Sequence, residues 1–283
     1  MQTIDDVAAM QGWANEARRQ GRRIGFVPTM GYLHQGHLSL VRLARRHADA
    51  VVASIFVNPL QFGANEDLDK YPRAFERDAE QLQAEGTDVL FFPPAAQMYP
   101  AGYQTSISVD LVSRELCGRS RPTHFRGVTT VVAKLFHIVK PHVAVFGRKD
   151  FQQWMVIRRM VADLNMDIEV IGGEIVREAD GLAMSSRNAY LSPDERRAAL
   201  CLSRALRAAG KAVESGIRDG AGVRAEALRV IGEEPAARLD YAELMNPETI
   251  EPVETITGPT LLALAVHIGN TRLIDNCLLN QTQ

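Results

Sequence analysis

Pro28-Thr29-Met30-Gly31-Tyr32-Leu33-His34-Gln35-Gly36-His37 lies between two segments of opposite pattern. Arg23–Pro28 is a short apolar run closed by proline, the pattern of a buried strand. Leu38–Ala48 sets Leu40, Leu43 and Ala44 on one side and arginines on the other, the pattern of a helix. The ten residues therefore form a strand-to-helix turn, and the same alternation continues outward. Val51–Val57 is a β-branched strand, Pro72–Glu85 a surface helix with Gly86 as its stop, and Val89–Phe92 a strand ended by Pro93 and Pro94. Gly127–Val139 predicts a helix, His142–Phe146 a strand, Asp150–Leu164 a helix capped by Asp150, and Ile168–Val176 another strand. Strands alternating with helices of this length predict a parallel sheet covered on both faces. Such sheets bind ligands at the carboxyl ends of their strands, beside helix N-termini.

The pattern changes near Ser192. Pro193–Ser215 and Ala221–Ile231 read as helices, and Leu239–Met245, Thr260–His267 and Thr271–Leu278 as strands. Two domains are expected, an α/β domain over 1–180 and a smaller α+β domain over 181–283, a division that suits 283 residues. The net charge of −2 offers no basic field for nucleic acid. Cys117, Cys201 and Cys277 are odd in number and far apart, which argues against disulfides or zinc and for a reducing compartment. The acidic start lacks the pattern of a signal peptide, and the longest apolar runs are too short to cross a bilayer. A cytoplasmic protein with neither nucleic-acid nor membrane partner is expected.

His34 and His37 are three residues apart at the start of a helix, with Gly36 between them. Glycine lets a phosphate approach the backbone, the helix end supplies N–H groups, and two imidazoles can donate to a phosphate whose charge grows. The spacing Gly31-x-x-x-x-Gly36 resembles a P-loop, but His37-Leu38 stands where Lys-Ser/Thr belongs. The bland alternative is two loop histidines with satisfied hydrogen bonds.

Phe146-Gly-Arg-Lys149-Asp150-Phe-Gln-Gln153 again follows a strand and opens a helix. Lys149 suits phosphate as a point charge; Asp150 suits ribose hydroxyls or the helix cap. Met184-Ser185-Ser186-Arg187-Asn188 puts two hydroxyls and a guanidinium on one loop, which suits a leaving pyrophosphate. Asn58, Gln61 and Gln153 are neutral amides fitted to a small polyhydroxylated acid, or else a capping Asn and surface glutamines. Together these segments predict an ATP site without a P-loop, and the first and third are similar to the HIGH and KMSKS pair of class I aminoacyl-tRNA synthetases and their nucleotidyltransferase relatives.

As a set, PTMGYLHQGH, SIFVNPLQF, DLDKYPR, RPTHFRGV, VFGRKDFQQ, VREADGLAMSSRN and LLALAVHIGNTRLIDN resemble the pantothenate synthetase (pantoate–β-alanine ligase) family in order and spacing. The resemblance implies a Rossmann-like fold of the HIGH superfamily with a C-terminal lid, usually dimeric. It also implies condensation of pantoate with β-alanine using ATP and Mg²⁺, through an acyl-adenylate, with release of AMP and pyrophosphate. By it, Met30, Gly31, Tyr32, Leu33, His34, Gln35, Gly36 and His37 form the first ATP stretch, with His37 as proton donor. Gly147, Arg148, Lys149 and Asp150 form the second, Lys149 on phosphates and Asp150 on ribose, with no individual role for Arg148. Val176 and Met184 meet adenine through backbone, while Ser185, Ser186 and Arg187 close over the phosphates. Gln61 contacts pantoate and β-alanine, Gln153 contacts pantoate, and Asp78 lies in the Mg²⁺ region. The competing expectations are a related adenylyltransferase that transfers AMP, and a nucleotide-binding module without turnover.

Overall fold

A computed structural model of the chain describes residues 1–63 and 66–280. The chain divides into two compact units: Met1–Ser113, Arg121–Arg148 and Gln153–Glu174 form the first; Arg114–Ser120, Lys149–Gln152 and Ile175–Gln283 the second. The dividing line after Glu174 lies six residues before the 180/181 boundary read from the sequence, and two short upstream segments join the second unit. Composition along a chain cannot reveal such excursions, because they are made by contacts between residues far apart in sequence.

The first unit begins with β1 (Gln2–Ile4) and α1 (Val7–Arg19), neither of which is among the elements expected from the sequence. Asp6 caps α1 by accepting the Ala9 N–H. There follow β2 (Ile24–Thr29), α2 (Gln35–His47), β3 (Ala50–Ile55), α3 (Phe75–Ala84), β4 (Val89–Phe91) and the short α4 (Ala95–Met98) and α5 (Cys117–Ser120), the last belonging to the second unit. Then come α6 (His124–Val139), β5 (Val143–Gly147), α7 (Phe151–Asp163) and β6 (Glu169–Gly173). All six strands pair in parallel in the order β1-β4-β3-β2-β5-β6. The expected parallel α/β architecture is present, and helix and strand ends fall close to those read from the sequence.

The strands read as unbroken apolar runs because both faces of the sheet are covered. Alternate residues feed two separate cores. Phe26, Val52, Phe91, Ala144 and Phe146 pack on one side with Met10 and Ala14 of α1, Phe136 of α6 and Met160 of α7. Val27, Val51, Ala53, Leu90 and Val145 pack on the other with Leu38 and Val41 of α2 and Leu82 of α3. Strand order reverses between β2 and β5: the chain proceeds from β2 to β3 on one side and from β5 to β6 on the other. The crevice at such a reversal is where open parallel sheets take ligands. Here it is bounded by the residues leaving Thr29 and Gly147.

The second unit holds α8 (Pro193–Glu214), α9 (Gly220–Gly232), β7 (Ala237–Met245), β8 (Thr260–Ile268) and β9 (Thr271–Leu279), the strands forming an antiparallel sheet in the order β7-β8-β9. Ser192 and Glu195 cap α8 reciprocally, with Pro193 in its first turn. Ala199, Leu202 and Ala209 of α8 pack with Val223 and Ala227 of α9 and with Leu262, Leu264 and Val266 of β8. Among the described residues no helix is long and apolar enough to cross a membrane.

Candidate active site

The turn after β2 is built around backbone that needs holding. Gly31 and Tyr32 both have positive φ, +85° and +51°. Glycine tolerates this freely; for Tyr32 it costs about 1–2 kcal/mol. Asp78 of α3 offsets that cost. Its carboxylate accepts the Tyr32 N–H at 2.6 Å and the Leu33 N–H at 2.8 Å, and Arg77 donates to it at 3.1 Å. Arg77 also donates to the Leu33 carbonyl and stacks over the Tyr32 ring. Asp78 is 1% exposed, so these bonds are made out of water, where charge-assisted bonds are strong.

The chain then enters α2 with His34 as its N-cap. His34 Nδ1 accepts the Gly36 N–H at 3.1 Å, and His37 Nδ1 accepts the His34 N–H at 3.4 Å. Two imidazoles thus do the capping that Ser and Glu do at α8. An Nδ1 that accepts cannot carry the proton, so each neutral ring holds it on Nε2 as a donor. The rings lie face toward face, centroids 4.1 Å apart and tilted by 40°. The sequence placed both histidines inside a helical turn; His34 instead stands just outside it, with extended backbone.

The amides sort into separate roles. Asn58 is buried, and its side chain is committed: Nδ2 donates to the Gly127 carbonyl and to Gln61 Oε1, and Oδ1 accepts from Tyr99 Oη and the Leu60 N–H. Asn58 therefore orients Gln61. Gln61 Nε2 points to Met30 Sδ at 2.9 Å, joining the amide to the histidine turn. Gln153 is half-buried on α7 in the same unit. Arg121 and His124, in a quoted motif but given no role from sequence, both reach the Gln61 carbonyl. Arg121 Nη2 donates at 3.2 Å, and His124 Nδ1 donates at 2.9 Å because a carbonyl can only accept. Arg121 also pairs with Glu66. Burial works to raise the Glu66 carboxyl, but the Arg121 bond and charge, with smaller help from the Gly63 N–H and His124, hold it below the ordinary value. Only the signal of a basic pair three residues apart, Arg121 and His124, marked them in the sequence.

Gly147 ends β5, and Arg148–Asp150 form a 3-10 turn before α7. Asp150 thus lies ahead of the helix inside this turn, and its carboxylate is 3.6 Å from Lys149 Nζ. Arg148 pairs with Glu174 at 2.6 Å and stacks over Trp154. In the second unit, Val176–Met184 is a tight hairpin: Met184 N–H donates to the Val176 carbonyl, and Glu178 and Leu182 pair inside it. The bond leaves the Val176 N–H and the Met184 carbonyl as the groups of that pair directed elsewhere. Ser185 caps the 3-10 turn Ser186–Tyr190, accepting the Arg187 N–H, and Asn188 ties the turn back to Ala183 and Glu178.

A protein-held magnesium ion fits this residue set poorly. The Asp78 oxygens already face three N–H donors, and among the described residues no three His, Cys, Asp or Glu side chains cluster as metal ligands.

A parallel sheet with a histidine-capped helix at its reversal point places the chain in the nucleotidyltransferase-like α/β class. The chain belongs to the pantoate–β-alanine ligase family, whose profile matches residues 2–278. It is 60% identical over 283 residues to the pantothenate synthetase of Geobacter sulfurreducens, covering all of both chains. The crystal structure of pantothenate synthetase from Thermus thermophilus superposes with a TM-score of 0.93 at 45% identity, over 98% of this chain and 99% of that one. Pantoate–β-alanine ligase from Francisella tularensis, crystallised in complex with β,γ-ATP and β-alanine, gives 0.82 at 34% identity, over 98% and 97%.

Proposed function

We propose that the protein condenses pantoate with β-alanine through a pantoyl-adenylate, forming pantothenate, AMP and pyrophosphate. The observation that carries this is the pair of imidazoles capping α2 at the sheet's reversal point, each held by its Nδ1 so that Nε2 is the donor. The pantoate carboxylate is an anion at neutral pH and needs no base. Its oxygen attacks the α-phosphorus, the bond to the bridging oxygen breaks, and pyrophosphate leaves. The chain's contribution is charge relief and alignment: His34 and His37 Nε2–H donors at the α-phosphate, Lys149 on the phosphates, and Ser185, Ser186 and Arg187 at the departing pyrophosphate. Gln61, oriented by Asn58, and Gln153 hold the acid; Val176 and Met184 meet adenine by backbone, and Asp150 meets ribose.

In the second step the neutral amine of β-alanine attacks the acyl carbon, AMP leaves with the bonding pair, and the surplus amine proton passes to solvent. Only the unprotonated amine reacts, so the rate of this step rises with pH. We assign Mg²⁺ to the incoming nucleotide's own phosphates, since magnesium keeps most of its waters and uses few protein ligands. Asp78 then serves the turn rather than the ion. We also infer a homodimer, on the family resemblance, and a reducing cytoplasmic setting, which suits the free thiols of Cys117, Cys201 and Cys277. Sedimentation velocity giving a monomer alone would remove the dimer from this proposal.

The test is an AMP-release assay over a panel of short hydroxy acids and amines. Amide formation with one AMP and one pyrophosphate per turnover, greatest with pantoate and β-alanine, is expected. AMP appearing on an acceptor instead of in solution would move the protein to the adenylyltransferases, and ATP binding without AMP release would make it a binding module.

A further inference from the structure

In the second unit, β9 carries two adjacent polar residues, Asp275 and Asn276, among apolar neighbours such as Leu273 and Leu279. Both are buried, Asp275 at 3% and Asn276 at 6% exposure. Adjacent residues of a strand face opposite sides, so one point on β9 reaches in two directions. Asn276 Nδ2 donates to the Lys149 carbonyl at 2.9 Å. Asp275 takes both Nη1 and Nη2 of Arg177, at 2.6 and 2.9 Å, and Nη1 also donates to the Gly181 carbonyl at 3.1 Å. Arg177 is in the Val176–Met184 hairpin, next to Val176 and opposite Ala183. Asp275 Oδ1 also accepts the backbone N–H of Asn276 at 2.8 Å, which ties the carboxylate to the strand at the residue that carries the Asn276 amide.

We infer that Asp275 and Asn276 are positioning residues that fasten the Lys149 segment and the Val176–Met184 hairpin to one strand, so that the phosphate-side lysine and the hairpin leading to Ser185–Arg187 are held in fixed relation. The inference rests on the ligase assignment for its kinetic consequences, though the anchoring is physical and separable from it. β9 is a rigid post, paired with β8 along its whole length from Thr271↔Ile268 to Leu279↔Thr260. The other end of the lysine segment is fastened too: Gln152 Nε2 donates to the Glu115 carbonyl, and its Oε1 accepts the Cys117 N–H. Only the Lys149 side chain then remains to be ordered by the nucleotide, which lowers the entropy lost on binding. A buried ion pair seldom adds net stability over apolar residues of the same size. Its planar, two-bond geometry does fix direction, the property that positioning requires.

The experiment is amide hydrogen exchange, read by mass spectrometry on the full chain, together with ATP–pyrophosphate exchange kinetics. Asn276→Asp keeps the shape and removes the donor. Exchange over 149–152 is expected to quicken about tenfold, the size of one lost hydrogen bond, with β7 and β8 unchanged. The KM for ATP is expected to rise by a similar factor, with the KM for the acid unchanged and with less than about a twofold further effect in a Lys149→Ala background. Asp275→Asn is expected to quicken exchange over 177–183. Unchanged exchange in both segments, or equal kinetic factors with and without Lys149, overturns the inference. Should either variant loosen the whole second unit, Asn276→Ala is read the same way, and uniform loosening there too makes the pair merely structural and overturns it. If Lys149→Ala alone leaves ATP–pyrophosphate exchange intact, the ligase role of Lys149 fails, while hydrogen exchange still decides the anchoring.

Discussion

His34 and His37 hold each other's place: the His37 ring caps the backbone of His34, and the His34 ring caps Gly36, the residue before His37. Asparagine offers an oxygen close to where Nδ1 sits but has nothing at the Nε2 position. His34→Asn and His37→Asn should therefore keep the cap, with loss of stability under about 1 kcal/mol. Each should lose about a hundredfold in adenylate formation, the cost of one donor to a developing charge. Urea unfolding and ATP–pyrophosphate exchange on the same samples check the two halves; loss of stability with retained exchange would reverse the assignment.

Asp78→Ala removes the acceptor of two backbone N–H groups, one of them on the strained Tyr32, in a buried site. A stability loss of about 2–4 kcal/mol is expected, in line with breaking buried charged bonds. If Asp78 serves the turn alone, the KM for ATP rises while the magnesium concentration for half activation stays as it was. A shifted magnesium requirement would return Asp78 to the metal.

Gly127 lies where α6 meets the 3-10 turn Pro59–Gln61. A Cβ there would sit 2.2 Å from the Leu60 carbonyl oxygen and 2.6 Å from the Gln61 nitrogen, both backbone atoms that cannot swing aside. Gly127→Ala must push the turn carrying Gln61. It should cost about 1–3 kcal/mol as an overpacking change, and raise the KM for pantoate about tenfold or more with little change for ATP. Steady-state kinetics with each substrate varied in turn measures the split.

His142 stands at the amino end of β5, where its Nδ1 accepts the Ile24 N–H at 2.9 Å and its own N–H donates to the Ile24 carbonyl. Burial, then the charges of Arg18 and Arg23, press its pKa below the ordinary 6.5 against smaller opposing pulls from Asp167 and Asp49. The unfolded chain therefore binds more protons in the window below 6.5. The stabilising contribution is full above that pH and is lost as pH falls through the depressed folded value. His142→Asn keeps an acceptor without titrating. Urea midpoints at pH 8 and pH 5 should show wild type losing more than the variant on acidification.

The sequence alone carried the parallel α/β class, because apolar runs of strand length alternate with helices, and such runs arise only where both sheet faces are covered. It also carried the motif residues, since a histidine pair around a glycine, a lysine after a strand and a Ser-Ser-Arg loop have chemistry that survives without coordinates. β1 has too few residues to show a period, and α1 was passed over although Met10, Ala14 and Ala17 face the core at helical spacing. Tertiary structure decided what the side chains do. Asn58 reads as an amide for the acid from its type, and Asp78 as part of the Mg²⁺ region only by the family resemblance; folding adds that Asn58 bonds Gln61 and that Asp78 holds the Tyr32 turn. Arg121, His124, Asp275 and Asn276 gained roles only through partners tens of residues or more away. Spacing along a chain reports which groups a local segment presents, whereas a hydrogen-bond partner far along the chain is chosen by folding, and no local pattern records it.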